Sequence, residues 1–129
     1  MNNNYRGAII EESLTNKNVL QKINITKTEI IPYSKKLKTP WVKQWTFHYI
    51  EIPKNQADDI ADEICKSLDK KHAWYADYKN EDSHYVIYSD RIFCIKRTNK
   101  EQYDKAISYG LSLGIPDHQL DFSPFKKVF

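Results

Sequence analysis

Glycine is scarce in this sequence. Only Gly7, Gly110 and Gly114 occur among 129 residues. A phosphate-cradling loop needs closely spaced glycines, so neither a P-loop nor a dinucleotide fingerprint can be written, and G-x-S-x-G and H-E-x-x-H are absent as well. Nucleotide-dependent chemistry through a common motif is thereby excluded, and no cofactor is expected. Cysteine is equally thin: Cys65 and Cys94 stand far apart, with no C-x-x-C and no zinc-type spacing. No metal is expected, and the two thiols read as a reduced, buried pair of small hydrophobes. Arginine appears only at 6, 91 and 97, and lysine supplies the remaining positive charge. Lysine is the poorer bidentate phosphate clamp. The net charge of +3, from 20 basic and 17 acidic residues, is too mild for a dedicated nucleic-acid surface. No apolar run approaches the ~18 residues of a membrane span, and MNNNYRGAII lacks the layout of a signal peptide. The expectation is a cytoplasmic protein with no membrane partner.

What is present is a globular composition, with 40% hydrophobic and 13% aromatic residues. The length suits one domain spanning 1–129. Tyr5 to Glu11 reads as a first strand, followed by a short helix or turn up to Ile23. Ile23 to Tyr33 is rich in β-branched residues and reads as a strand. A basic loop, SKKLKTP, closes at Pro40. Trp41 to Ile52 is the longest strand candidate: Trp45, Phe47 and Tyr49 point one way, and Thr46, His48, Ile50 and Ile52 the other. Apolar residues on both faces predict a central strand. Ala57, Ile60, Ala61, Ile64 and Leu68 then fall at helical spacing over 55–69, with Asn55 as N-cap candidate. Three strands follow, at 73–78, 84–88 and 91–97, joined by KNEDS and by Ser89–Asp90. A last helix covers 100–113. Thr98 and Glu101 form a capping-box pattern, and Gly114 is its stop. Leu120, Phe122, Phe125 and Phe129 make the C-terminal segment apolar enough to pack onto the domain.

This order predicts an α+β fold: a mostly antiparallel sheet with two main helices on one face. From Trp45 onward the elements read β-α-β-β-β-α, related to a ferredoxin-like split β-α-β plan with an added strand.

The residues that could carry chemistry cluster between His72 and Arg97. Asp77 sits mid-strand, where aspartate is disfavoured. It is either an outward-facing acid on an edge strand or a functional carboxylate. His84 lies across the KNEDS turn from it, and a histidine beside a carboxylate can serve as a general base. His48 joins them if its strand lies alongside. The catalytic candidates are therefore Asp77, His84 and His48. His72 reads as a helix-end residue and Asp90 as a turn residue. Trp74 and Tyr78 share a strand face, with Tyr75 and Asp77 on the other, and are candidate binding residues. So are Trp41 and Lys43, in the basic stretch holding Lys35, Lys36 and Lys38. A lysine-rich loop is ordinarily a solvated surface, and its functional reading is contact with an anionic partner.

His48 and His84 each precede an aromatic–aliphatic pair, which superficially resembles the paired motifs of two-histidine phosphoesterases. That family needs a hydroxyl two residues after each histidine. Here those positions are Ile50 and Val86, so the phosphate contact is missing. More broadly, TPWVKQWTFHYIEIP, HAWYADYKN and LGIPDHQLDF resemble a family of small bacterial proteins described only as uncharacterised. That likeness implies a free-standing cytoplasmic domain and brings no activity with it. The leading expectation is a small binding or regulatory domain without catalysis. It is homodimeric, because two-fold association is the commonest cover for a second apolar face, and a small-molecule ligand is allowed. The alternatives are a hydrolase- or lyase-like enzyme using His84 or His48 with Asp77, and a single-stranded nucleic-acid binder using sheet aromatics and lysines.

Overall fold

The computed structural model describes residues 3–120, so the expected packing of Phe122, Phe125 and Phe129 lies outside the described residues. Six strands form one antiparallel sheet: β1 (Tyr5–Ile10), β2 (Asn24–Pro32), β3 (Gln44–Ile52), β4 (Tyr75–Lys79), β5 (Ser83–Tyr88) and β6 (Ile92–Lys96). Two main helices accompany it, α1 (Ala57–Ser67) and α2 (Lys100–Ser112). The α+β class is as the sequence predicts.

The strand order is β2-β3-β1-β4-β5-β6. The N-terminal strand β1 is inserted between β3 and β4 and is antiparallel to both. Those two strands are therefore parallel to each other and are joined through α1. This is a split β-α-β unit, to which β5 and β6 add a meander. The insertion requires close approach: β1 meets β4 over Arg6↔Lys79, Gly7↔Tyr78 and Ala8↔Asp77. A Cβ built on Gly7 would lie 1.9 Å from the Asp77 carbonyl oxygen, so only glycine fits there.

Helix α1 forms because its apolar positions recur at helical spacing. Ala57, Ile60, Ala61 and Ile64 are all buried, while Asp58 and Asp59 occupy the first turn, where the dipole favours acids. The expected Asn55 cap is not used. A 3-10 turn over Lys54–Gln56 leads into the helix instead, with Gln56 N–H donating to the Pro53 carbonyl at 2.9 Å. In α2 the cap is Asn99 rather than Thr98, since the Asn99 side chain accepts from Gln102 N–H at 3.1 Å. Asparagine is at least as good a cap as threonine, and here it stands one residue closer to the helix. Gly114 ends the segment in a left-handed conformation, φ 93°.

The helices do not share a face. Tyr78, Tyr85 and Ile87 pack with Ile60, Ala61 and Ile64 of α1. Val86, Tyr88 and Ile95 pack with Tyr103 and Ala106 of α2. Adjacent residues of β5 point to opposite sides, so α1 and α2 cover opposite faces, correcting the one-face arrangement. The physical reason is that β5 is apolar on both sides and needs cover twice. Helix α2 protects the end of its face over β5 and β6. The remaining part of that face, over β1 and β3, carries Trp45, Phe47 and Tyr49.

Candidate functional site

The site begins with a turn. Asn80 Oδ1 accepts from the backbone N–H of Asp82 at 2.9 Å and of Ser83 at 2.8 Å. Arg97 Nη1 donates to the Asn80 carbonyl at 2.8 Å. These bonds fix the β4–β5 register, which places Asp77 opposite Val86 and Lys79 opposite His84. Asp77 and His84 are thus diagonal neighbours on one face, within side-chain reach. His84 Nε2 lies 2.7 Å from Asp77 Oδ2, and His84 Nδ1 lies 3.1 Å from the hydroxyl of Tyr103 on α2.

The histidine is the inner member of this trio. Its side chain is 1% exposed, against 15% for Asp77. A buried imidazole needs partners for both ring nitrogens. With a neutral ring, Nε2–H donates to Asp77 and Nδ1 accepts the Tyr103 hydroxyl proton, so donors and acceptors match. Burial raises the Tyr103 pKa above its ordinary 10.0, Arg97 opposes that rise, and the negative charge of Asp77 adds to it.

On its outer side Asp77 borders a cavity of about 240 Å³. The cavity is walled by Ala8, Ile10, Trp45, Phe47, Trp74 and Tyr75, and rimmed by Thr39, Ile115 and Gln119. Its cause is visible in the register. Ala8 is flanked by Tyr49 and Asp77, so one methyl group stands in a row of large side chains. The floor sinks at that point. The Tyr75 hydroxyl donates to the Gln119 carbonyl, which holds the segment after α2 across one side. Trp45 is oriented by its indole N–H, which donates to Thr39 Oγ1 at 2.7 Å. Trp74, which is 4% exposed, stands 5.6 Å from Trp45 between ring centroids. Its indole N–H is buried without a hydrogen-bond partner among the described residues. Such a donor is costly unless something accepts from it.

The other sequence candidates fall elsewhere. His48 pairs with Ile9 on β1 and faces the α1 side, opposite to His84. Its ring is held by Thr28 Oγ1 at 2.9 Å and Glu11 Oε1 at 2.8 Å. Tyr78 is completely buried against α1, where its hydroxyl donates to the Ala57 carbonyl, and does not reach the cavity. Burial pushes its pKa well above the ordinary tyrosine range. Trp41 is 44% exposed, stacks on His72 at 3.9 Å and meets Trp74 edge-on, so it stands behind the cavity wall. Lys43 is exposed and does not line the cavity. His72 also contacts Asp69 at 2.8 Å, and Asp90 accepts from the Tyr109 hydroxyl at 2.7 Å. The structure therefore joins Asp77, His84 and Trp74, and separates them from His48, Tyr78 and Lys43. Sequence reasoning missed Tyr103 as a partner of His84, along with Ala8, Trp45, Phe47 and Gln119 as cavity residues. The one available signal for Tyr103 was its place in the inward stripe of α2.

Among the described residues, no group of three or more His, Cys, Asp or Glu converges as a metal site. No helix among them is long and apolar enough to cross a membrane. Comparison with known proteins finds no matching family model, no matching curated protein and no matching solved structure.

Proposed function

We propose that this chain is a small ligand-binding or regulatory domain without catalysis of its own, acting in the cytoplasm as a homodimer. The observation that carries this reading is the aromatic cavity with one carboxylate at its edge. Binding sites are concave, mostly apolar and supplied with a few fixed polar groups. At about 240 Å³ the cavity suits a compact molecule. Asp77 is held in place by His84, so a ligand meets an ordered acceptor. The test is an amide-detected NMR titration with small aromatic and aliphatic fragments. Shifts at Ala8, Trp45, Trp74 and Asp77 are expected. Their absence at millimolar fragment would overturn the proposal.

Dimerisation has its own support. The outer edge of β2 has no neighbouring strand among the described residues, and Ile30 beside it is 60% exposed. An open edge with an exposed apolar residue is a ready pairing surface. Light scattering at micromolar concentration should give twice the chain mass, and a strict monomer removes this part of the proposal.

A second reading, acid–base catalysis by Asp77, is favoured by the 2.7 Å contact with His84. It has less behind it. The histidine is screened from the cavity by the carboxylate, and the cavity wall offers no serine, cysteine or lysine nucleophile. A stacking platform for unpaired bases would need open rings, and Tyr78, Tyr85 and Tyr88 are buried.

A further inference from the structure

We infer that the cavity selects a small organic cation, an alkylated or protonated amine. The inference rests on the reading of the cavity as a ligand site. Two features of the lining define the class. The first is charge: among the described lining residues Asp77 is the one carboxylate, and none is lysine, arginine or histidine. His84 engages Asp77 through Oδ2, at 2.7 Å. The carboxylate also retains lone pairs beyond the one used by His84. The second is the wall itself. Trp45, Phe47, Trp74 and Tyr75 supply π-surface, and ring faces attract alkylammonium groups. An anion would meet the Asp77 carboxylate with no cationic side chain among the described lining residues. The size follows from the volume: 240 Å³ holds about eight water-sized bodies at roughly 30 Å³ each. The ligand is therefore compact.

Matched probes test charge separately from shape. Choline, its uncharged isostere 3,3-dimethylbutan-1-ol, the anion 3,3-dimethylbutanoate and tetramethylammonium are titrated into the full chain, followed by calorimetry and amide NMR. Choline should bind about tenfold more tightly than the neutral alcohol, and the anion should not bind. Asp77→Asn should erase the choline preference and leave the alcohol unchanged. Tetramethylammonium should bind on the same footing as choline, and the comparison of choline with the alcohol on the unmodified chain stands even if Asp77→Asn does not fold. Equal binding of choline and the alcohol in the cavity would overturn the cation class while sustaining the ligand site. Binding of none of the four, or of the fragments above, would overturn both.

Discussion

Replacing Gly7 with alanine should damage the fold and the cavity together. The new Cβ would lie 1.9 Å from the Asp77 carbonyl oxygen, 2.5 Å from Tyr78 Cα and 2.7 Å from the Asp77 carbonyl carbon. All three are backbone atoms, so no rotamer change relieves the clash. Ordinary contact between such atoms begins near ~3.5 Å, so the strands must part by about 1.5 Å. The β1–β4 ladder spans only three residue pairs, and Gly7 is the middle one. Parting there forfeits hydrogen bonds at roughly 1 kcal/mol each, besides an overpacking cost of about 1–3 kcal/mol. A loss of about 3–5 kcal/mol results, a large share of the ~5–15 kcal/mol typical of a whole domain. The opposing gain from a stiffer unfolded chain is at most about 1 kcal/mol. For a chain this size Tm should fall by roughly 10–20 °C. Urea unfolding monitored by tryptophan fluorescence reads the change, and amide shifts at Asp77 and His84 report the displaced site. Gly114→Ala is the control: nothing lies within 4 Å of its Cβ, so only the conformational cost of φ 93° applies, about 1 kcal/mol. An unfolding midpoint for Gly7→Ala equal to wild type would refute the close-packed β1–β4 contact.

Two further tests address the polar network and the buried rings. The Glu11 carboxyl is held below its ordinary 4.5, first by the hydrogen bond from His48, against the opposing effect of burial, and with help from Lys17. Because the folded value is depressed, this stabilisation is present above pH ~4.5 and is lost as pH falls through the folded value. Glu11→Gln should therefore lower stability at neutral pH and flatten the loss on the acid side, read as urea midpoint against pH. An unchanged acid limb would count against the Glu11–His48 bond. Tyr88 donates its hydroxyl to the Ala106 carbonyl at 2.7 Å inside the α2 core, and burial pushes its pKa far above 10.0. Tyr88→Phe should cost about 1–2 kcal/mol with an unchanged denaturant slope, whereas no loss would mean that the hydroxyl is solvated.

Local pattern was readable wherever one segment determined the outcome. Alternation through Trp45, Phe47 and Tyr49, the α1 stripe and the Gly114 stop all appear as the sequence implies. Long-range placement was not readable. No local signal says that β1 enters between β3 and β4, a pairing that bridges about 70 residues of chain between Gly7 and Tyr78. The two histidines show the consequence. Both stand in His-Tyr-aliphatic strands, yet His48 faces α1 and His84 faces α2. The register chain explains it: Ile9 pairs with His48, Gly7 pairs with Tyr78, and Tyr78 pairs with Tyr85. His48 thus shares a face with Tyr85, one residue out of phase with His84, and a single residue of phase inverts a strand's faces. The Asp77–His84 diagonal was legible because one short hairpin sets it. The cavity was not, since its walls come from β1, β3, β4 and the segments around Thr39 and Gln119.

The order of groups in the trio differs from that of a catalytic triad. In a triad the imidazole meets the substrate and a carboxylate orients it from behind. Here the sequence of contacts is reversed: Tyr103 on α2 bonds the imidazole, the imidazole bonds Asp77, and Asp77 borders the cavity. The carboxylate is the presented group and the histidine is its support. An aspartate in mid-strand is unfavourable in itself. Here it is offset by a charge-assisted hydrogen bond on one side and by the cavity opening on the other. The position of the acid then depends on α2 staying docked, because Tyr103 is a helix residue and His84 has no room to reorient at 1% exposure. A ligand that engages Asp77 consequently draws on the packing of α2 against β5, and its binding free energy stabilises that docking by mass action.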